Sequence, residues 1–166
     1  MSHSAYIHHK IFRSMHRKFR KILIFVKTAT MKNEAFKDKV VVVTGGAQGI
    51  GHCIAQEFEK NGARVYIIDK QEGQHYVGDI SRREVLEAFT RHVVSREGHI
   101  DILVNNAGIQ RVSPIHEFDP ETFRLIHRLM VEAPFLLMRA ALPGMYERGF
   151  GRIINISSVH GLRAPA

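Results

Sequence analysis

Three glycines in one short segment have the clearest chemical use in this sequence. They are Gly45, Gly49 and Gly51 in the segment TGGAQGIG, which follows a short apolar run and precedes a helical pattern. Glycines permit a tight turn and let the backbone approach a pyrophosphate, while a helix start supplies free N–H groups and the positive end of the helix dipole. The segment therefore predicts a turn that binds the pyrophosphate of a dinucleotide.

An acidic residue at the end of the next predicted strand strengthens this prediction. Asp69 comes 18 residues after Gly51. A carboxylate at this place accepts hydrogen bonds from the hydroxyls of an adenosine ribose and repels a 2′-phosphate, so NAD is favoured over NADP. The neighbouring Lys70 weakens that preference.

Two further polar segments each follow a predicted strand. The first is Asn105-Asn106-Ala107-Gly108 and the second is Ser157-Ser158. Ligands of open α/β sheets bind beyond the carboxyl ends of the strands, near the point where the strand order reverses. Taken alone, however, a polar turn is a loop, and a serine pair is most often a capping or turn device.

Strand and helix patterns alternate from Lys39 onward. Apolar runs predict strands at Val40–Val43, Arg64–Ile68, His75–Val77, Ile100–Val104 and Arg152–Ile156. Helical patterns predict helices from Ile50 to about Asn61, from Ser81 to Gly98, and from Asp119 to about Met145. This order predicts an α/β fold, a doubly wound Rossmann-type parallel sheet that is truncated after the fifth strand.

The helical patterns also predict the environment of several side chains. Ser81 and Glu84 are expected to form a capping box at the start of the second helix. Cys53 is expected to be a small buried residue of the first helix. The predicted core residues fall in two stripes: Val85, Leu86, Phe89, Val93 and Val94 in the second helix, and Phe123, Ile126, Met130 and Leu137 in the third.

The net charge of +8 is concentrated in the first 30 residues. They contain seven basic residues and no acid, which leaves 17 basic against 16 acidic residues from Met31 onward. Such a nearly neutral remainder does not indicate a nucleic-acid-binding face.

No apolar run is long enough to predict a membrane span. A single cysteine indicates a reducing compartment, so a cytoplasmic location is expected.

Residues 1–36 are predicted to be a disordered basic extension, and residues 37–166 a dinucleotide-binding domain that is C-terminally incomplete. Three interpretations of the basic leader stand: a mitochondrial transit peptide, a segment that lies on an anionic membrane or nucleic acid, and a dispensable extension before a true start at Met31. We favour the last, since the sequence from Met31 already resembles a complete domain opening. No metal site is predicted, because the leader histidines have no cysteine or acid near them.

Taken together, the motifs from residue 37 to residue 166 resemble the short-chain dehydrogenase/reductase family. The resemblance implies that the dinucleotide is lined by Gly45, Gln48, Gly49, Ile50 and Gly51, that Asp79 and Ile80 border its adenine, and that Asn105, Ala107 and Gly108 lie along the nicotinamide-side ribose. It also implies that Ser158 is catalytic and hydrogen-bonds the reacting oxygen. The expected partner is a small alcohol or ketone, and the full-length parent is expected to be a homo-oligomer.

The segments NNAGIQRVSPIHEF and GRIINISSVHGLRA resemble 3-hydroxybutyrate dehydrogenases more closely. In that subfamily the residues corresponding to Gln110 and His160 help to hold the substrate carboxylate. An amide donor and an imidazole are both suited to bonding a carboxylate. The expected activity is NAD-dependent oxidation of a secondary alcohol to a ketone, with 3-hydroxybutyrate as the leading substrate.

Three departures from the family pattern leave alternatives open. The link from Asp69 to Asp79 is short, so a helix between the second and third strands is expected to be missing, as in some dihydrodiol and sugar-alcohol dehydrogenases. Met130 stands near the place of a helix asparagine that belongs to the family's proton relay. The family's Tyr-x-x-x-Lys acid/base pair is not among the 166 residues, since no Tyr follows Tyr146 and no Lys follows Lys70. These 166 residues alone are therefore expected to be inactive, and an inactive fragment or a non-catalytic dinucleotide-binding protein is the rival interpretation.

Overall fold

The computed structural model describes residues 36–158, and its centre is a sheet of five parallel strands. The strands are β1 (Val40–Thr44), β2 (Arg64–Asp69), β3 (Tyr76–Val77), β4 (Ile102–Asn105) and β5 (Arg152–Asn155). Their order across the sheet is β3-β2-β1-β4-β5. The chain therefore builds outward from β1 in one direction and then crosses to β4 on the other side, so the strand order reverses between β1 and β4.

Four helices connect these strands. They are α1 (Gly49–Lys60), α2 (Arg83–Glu97), α3 (Pro120–His127) and α4 (Ala133–Glu147). A π-helical segment, Arg128–Glu132, joins α3 to α4, and a short 3-10 turn at Ile115–Glu117 precedes α3. The predicted doubly wound parallel α/β fold is confirmed.

Both faces of the sheet are packed, which explains why β1 is a continuous run of valines. On one face, Ala55 of α1 packs with Val41, Val43 and residues of β4. On the other face, α2 and α4 bury Phe89 and Leu137 against alternate strand residues. A parallel strand with helices on both sides buries every side chain, and all five residues of β1 are buried.

The link between β2 and β3 contains no helix, as predicted. The two strands pair directly in parallel, with Ile68 opposite Tyr76 and Asp69 opposite Val77. Phe36, at the first described position, packs edge-on against Phe58 of α1 with ring centroids 5.0 Å apart. The basic leader before it lies outside the described residues.

The predicted capping box at the start of α2 is wrong. The N-cap of the helix is Arg82, one residue later than the predicted Ser81, and it makes no side-chain cap hydrogen bond. The Ser81 N–H donates instead to the Asp79 carboxylate at 2.9 Å, and the Glu84 carboxylate accepts from the Arg82 guanidinium. In a capping box the Glu84 side chain would accept from the Ser81 N–H, and here the Asp79 side chain accepts from it instead.

Several predicted core residues are exposed. Cys53 lies in α1 but faces solvent, and Val94 of α2 is also exposed. In the third predicted helix, Leu137 is buried, whereas Phe123 is 56% exposed and Met130 is 46% exposed. Helical spacing groups these residues on one face but does not decide whether that face meets the sheet or the solvent.

No helix among the described residues is long and apolar enough to cross a membrane.

Candidate functional site

The turns that follow β1 and β4 lie side by side at the carboxyl edge of the sheet, where the strand order reverses. The Thr44 hydroxyl accepts hydrogen bonds from the backbone N–H groups of Asn106 and Ala107, both at 3.0 Å. The Asn106 side-chain amide donates to the carbonyls of Thr44 at 3.0 Å and Gly45 at 2.9 Å. The glycine turn and the Asn-Asn-Ala-Gly turn are thus one hydrogen-bonded unit, placed where open α/β sheets bind ligands.

Gly45 and Gly51 are needed for the close packing of this unit. Gly45 has φ +66°, and a Cβ there would lie 2.9 Å from the Ala107 Cα. A Cβ on Gly51 would strike the Gly45 carbonyl oxygen and the Asn106 side-chain nitrogen. Both glycines therefore let the two turns approach each other and the start of α1.

Gly49 has a different environment. Its φ is +59°, and a Cβ built on it would meet no atom within 4 Å. Gln48 is the N-cap of α1 but makes no side-chain cap hydrogen bond, and the first helical turn contains no acid. The first N–H groups of a helix have no intrahelical acceptor. Open space beside Gly49, together with the uncompensated positive end of α1, fits the pyrophosphate of a dinucleotide. Ile50, the second residue of α1, is half-buried beside it.

Asp69 ends β2 next to this turn, and its carboxylate is held in place by backbone donors. One oxygen accepts from the Ala47 N–H and the other from the Gln71 N–H, each at 3.1 Å. The residue is 9% exposed, while Lys70 beside it is exposed. A carboxylate has about four lone-pair sites, so these two hydrogen bonds leave acceptor capacity for a ligand.

Asp79 and Ile80 follow β3 and are positioned differently from each other. Asp79 is exposed, and its carboxylate accepts from the Ser81 N–H. The Ile80 side chain is 6% exposed and packs in the core against α2. Contact between Ile80 and an adenine is therefore restricted to the backbone of Ile80, because its side chain is turned into the protein.

Asn105 joins β4 to β5, through a residue that the sequence analysis missed. Its side-chain N–H donates to the Asn155 side-chain oxygen at 2.8 Å, and its backbone carbonyl accepts from the Ile156 N–H at 2.9 Å. Asn105 is only 7% exposed, and among the described residues its own side-chain oxygen has no hydrogen-bond partner. Asn155 stands directly opposite Asn105 in the sheet register. Only this pairing register indicates that the two asparagines meet, and the register cannot be inferred from the sequence of either strand alone.

The remaining predicted site residues are spread along this edge. Gly108 lies against Met130 of the π-helical segment, since a Cβ on Gly108 would be 3.3 Å from the Met130 Cε. Gln110 is exposed in the following loop, and Ser158 is exposed just after β5. His160 lies outside the described residues. Within residues 36–158, no group of three or more His, Cys, Asp or Glu side chains is arranged to hold a metal ion.

A second residue that the sequence analysis missed organises the opposite edge of the sheet. Asp101 is buried, and one of its carboxylate oxygens accepts from the Val40 N–H at 3.0 Å and contacts His99 Nε2 at 3.1 Å. Its other oxygen lies 3.5 Å from the Arg148 guanidinium. This carboxylate ties the starts of β1 and β4 to the end of α4, far along the strands from the glycine turn.

Comparison with known proteins matches the arrangement to one family. Residues 39–166 match the family model described as short chain dehydrogenase. An uncharacterized oxidoreductase of Bacillus subtilis, YxjF, is 41% identical over 143 residues, which are 76% of this chain and 55% of the relative. A D-beta-hydroxybutyrate dehydrogenase of Cupriavidus necator is 38% identical over 144 residues, covering 77% of this chain and 56% of the relative.

A solved structure shares the fold. The crystal structure of a metagenomic short-chain oxidoreductase in complex with NADP superposes with a TM-score of 0.73 at 32% identity, covering 80% of this chain and 67% of that one. The chain spans about half the length of the curated relatives that it matches.

Proposed function

Because this chain belongs to the short-chain dehydrogenase family, we propose that it forms the dinucleotide-binding part of an NAD-dependent oxidoreductase that oxidises a secondary alcohol to a ketone. The observation that carries the proposal is the fixed carboxylate of Asp69 beside the glycine turn. In such a site the helix N-terminus at Gly49 faces the pyrophosphate and Asp69 accepts from the adenosine ribose.

The preference for NAD over NADP rests on the same carboxylate. Asp69 is buried and held by two backbone donors, so it cannot swing away from a 2′-phosphate without losing both hydrogen bonds. A phosphate placed there would meet a fixed negative charge. The related solved structure in complex with NADP makes this preference a matter for direct measurement.

NAD, when bound, would supply the hydride acceptor for oxidation of the alcohol carbon. On the protein side, Ser158 hydrogen-bonds the alcohol oxygen and orients the carbon toward the ring. Asn105, Ala107 and Gly108 line the nicotinamide-side ribose, and the backbone of Ile80 together with Asp79 borders the adenine. The proton is taken by the family's Tyr-x-x-x-Lys pair, which is not among these 166 residues.

The substrate that we propose is a short 3-hydroxy acid such as 3-hydroxybutyrate. Gln110 is exposed on the loop after the Asn-Asn-Ala-Gly turn, where its amide is free to meet a ligand carboxylate, and His160 completes the carboxylate site. The relative from Cupriavidus necator carries the name of that activity. We place the reaction in the cytoplasm and expect a homo-oligomer of the full-length protein.

A second candidate is a dihydrodiol or sugar-alcohol dehydrogenase of the same family. The observation that favours it is the direct pairing of β2 and β3 without an intervening helix.

The deciding experiment on the cofactor is a fluorescence titration of the 166-residue chain with NADH and with NADPH. We expect tighter binding of NADH, and we expect Asp69→Ala to reduce the NADH-to-NADPH preference by about 10- to 100-fold, the range of a hydrogen bond to a charged group. Glu59→Ala, which removes an exposed acid from α1, is the control for net charge. A preference of the unmutated chain for NADPH would overturn the assignment.

A further inference from the structure

The two halves of the candidate site are joined through two consecutive asparagines, Asn105 and Asn106, which make hydrogen bonds on opposite sides. On the cofactor half, Asn106 holds the carbonyls of Thr44 and Gly45. On the other half, Asn105 holds the Asn155 side chain and the Ile156 N–H. Since a peptide bond joins Asn105 to Asn106, the glycine turn after β1 is connected through them to the end of β5, three residues before Ser158.

The bond between Asn105 and Asn155 is the most sensitive member of this set. The Asn105 side chain is almost fully buried, and its oxygen has no hydrogen-bond partner among residues 36–158. Its amide is therefore held through the nitrogen that donates to Asn155. Loss of that partner would leave both polar atoms of a buried amide unsatisfied, and such a group rearranges rather than stay in place.

We propose that Asn155 is a positioning residue that couples the dinucleotide turn to β5, the strand that leads to Ser158. The proposal rests on the function proposed above. Under this proposal, a displacement of Asn106 at the glycine turn is transmitted through Asn105 to Asn155 and Ile156. The position of the segment that leads to Ser158 is thereby linked to the position of the glycine turn.

This role differs from that of an ordinary strand residue. β5 is already paired with β4 along its whole length, from Arg152 opposite Ile102 to Asn155 opposite Asn105. If Asn155 contributed only to the sheet, its substitution would change the pairing of β5 and leave the Asn106 and Ala107 amides unaffected. If it couples the two halves, those distant amides must respond.

The test uses amide hydrogen exchange, followed by NMR on the chain completed with a family-type C-terminal segment, and an NADH titration by fluorescence. The reporters are the N–H groups of Ile156, Asn106 and Ala107, which donate to Asn105 and Thr44. We expect Asn155→Ala to speed exchange at all three reporters and to weaken NADH binding by about two- to tenfold, the range of one neutral hydrogen bond. Val42 in the core of β1 reports on global unfolding and is expected to keep its wild-type exchange rate.

Two variants complete the design. Asn155→Asp retains the acceptor oxygen and is expected to restore both readouts, while Arg152→Ala, at the exposed start of the same strand, is the matched control and is expected to behave as wild type. If Asn155→Ala does not fold, Asn155→Val removes the acceptor with a residue that favours strands.

Faster exchange at Ile156 alone, or failure of Asn155→Asp to restore the reporters, would overturn the coupling. Failure of the proposed function gives a different result: the wild-type chain binds neither NADH nor NADPH. In that case the exchange measurements on the unliganded chain still decide whether Asn155 acts on the glycine turn.

Discussion

At the scale of single residues, Gly45 and Gly49 share a left-handed backbone but not an environment. Gly45 faces the Ala107 backbone, whereas Gly49 faces open space. Adding a methyl group at the first position forces the two turns apart. Adding one at the second only strains the backbone and fills the space assigned to the pyrophosphate.

We therefore expect Gly45→Ala to lower the free energy of unfolding by about 2–4 kcal/mol, from the left-handed conformation and the overpacking together. Gly49→Ala is expected to cost about 1–2 kcal/mol from its backbone conformation alone. Urea denaturation of both variants measures the difference. The NADH titration is expected to show weaker binding by Gly49→Ala at a stability closer to wild type. Equal losses of stability in the two variants would contradict the packing role of Gly45.

The role of Gln110 is also decided at this scale. In a protein completed with a family-type C-terminal segment, we expect Gln110→Ala to raise KM for 3-hydroxybutyrate by about two- to tenfold, because one neutral hydrogen bond to the carboxylate is lost. Steady-state kinetics against a panel of dihydrodiols and sugar alcohols provide the comparison. An unchanged KM for the acid would remove the carboxylate role, and turnover confined to the sugar alcohols would favour the second candidate.

At the scale of elements, β2 and α2 are joined by a polar contact at their outer edge. The Tyr66 hydroxyl donates to the Glu97 carboxylate at 2.6 Å, and that carboxylate also pairs with Arg64 at 2.8 Å. Burial raises the pKa of Tyr66 above its ordinary value of 10.0, and the hydrogen bond to Glu97 and its negative charge add to the effect. The neutral phenol is therefore the form that the folded protein stabilises.

This shift predicts the direction of a pH dependence. A group whose pKa is higher in the folded state contributes stability below its unfolded pKa and loses that contribution as pH rises through the folded value. We expect the urea midpoint of the wild type to decrease as the pH is raised from about 9 to above about 10. In Tyr66→Phe we expect this decrease of the midpoint to be smaller. Tyr146→Phe, at an exposed tyrosine of α4, is the control. A steeper fall in Tyr66→Phe than in the wild type would contradict the assignment.

The elements also show which features a single sequence predicts well. The bounds of β1 and β2 are predicted to within one residue. β1 is buried on both faces and is therefore a continuous apolar run, whereas β2 is partly buried and is marked by its apolar run between Arg64 and Asp69. The glycine turn and Asp69 were predicted because their motif includes its own structural context. The sequence does not predict contacts that depend on a partner distant in sequence, such as the Asn105–Asn155 pair and the contacts of Asp101.

Helix faces and helix starts were less predictable, for identifiable reasons. The stripe containing Phe123 and Met130 has helical spacing, but spacing alone does not say whether a stripe meets the sheet or the solvent. The π-helical segment at Arg128–Glu132 has no signal in the residue pattern. At the start of α2, Asp79 took the donor that the capping box needed, because an aspartate two residues upstream competes for the same N–H.

At the scale of the whole molecule, the edge of the described sheet at β5 is the least covered part. α1 covers the face formed by Val41, Val43 and β4, and β5 lies at the far end of that face. Among the described strands, β5 pairs with β4 alone, and Ile154 is 39% exposed. An edge strand with unpaired N–H and C=O groups and exposed apolar side chains is a template for association with other chains.

Expressed by itself, the 166-residue chain is expected to be poorly dispersed and without dehydrogenase turnover. Association should begin at β5, and a charge placed on its exposed apolar side chain, as in Ile154→Lys, should improve monodispersity because charged edge residues oppose strand addition. Turnover should be lower by about 10²–10⁴-fold than in a protein with the Tyr-x-x-x-Lys pair, since that is the usual contribution of a general acid/base. Light scattering and NAD-linked absorbance on the same preparation measure both properties, and NADH binding is still expected in the fraction that folds. A monodisperse chain with full turnover would mean that a residue among these 166, with His160 the first to test, supplies the acid/base function.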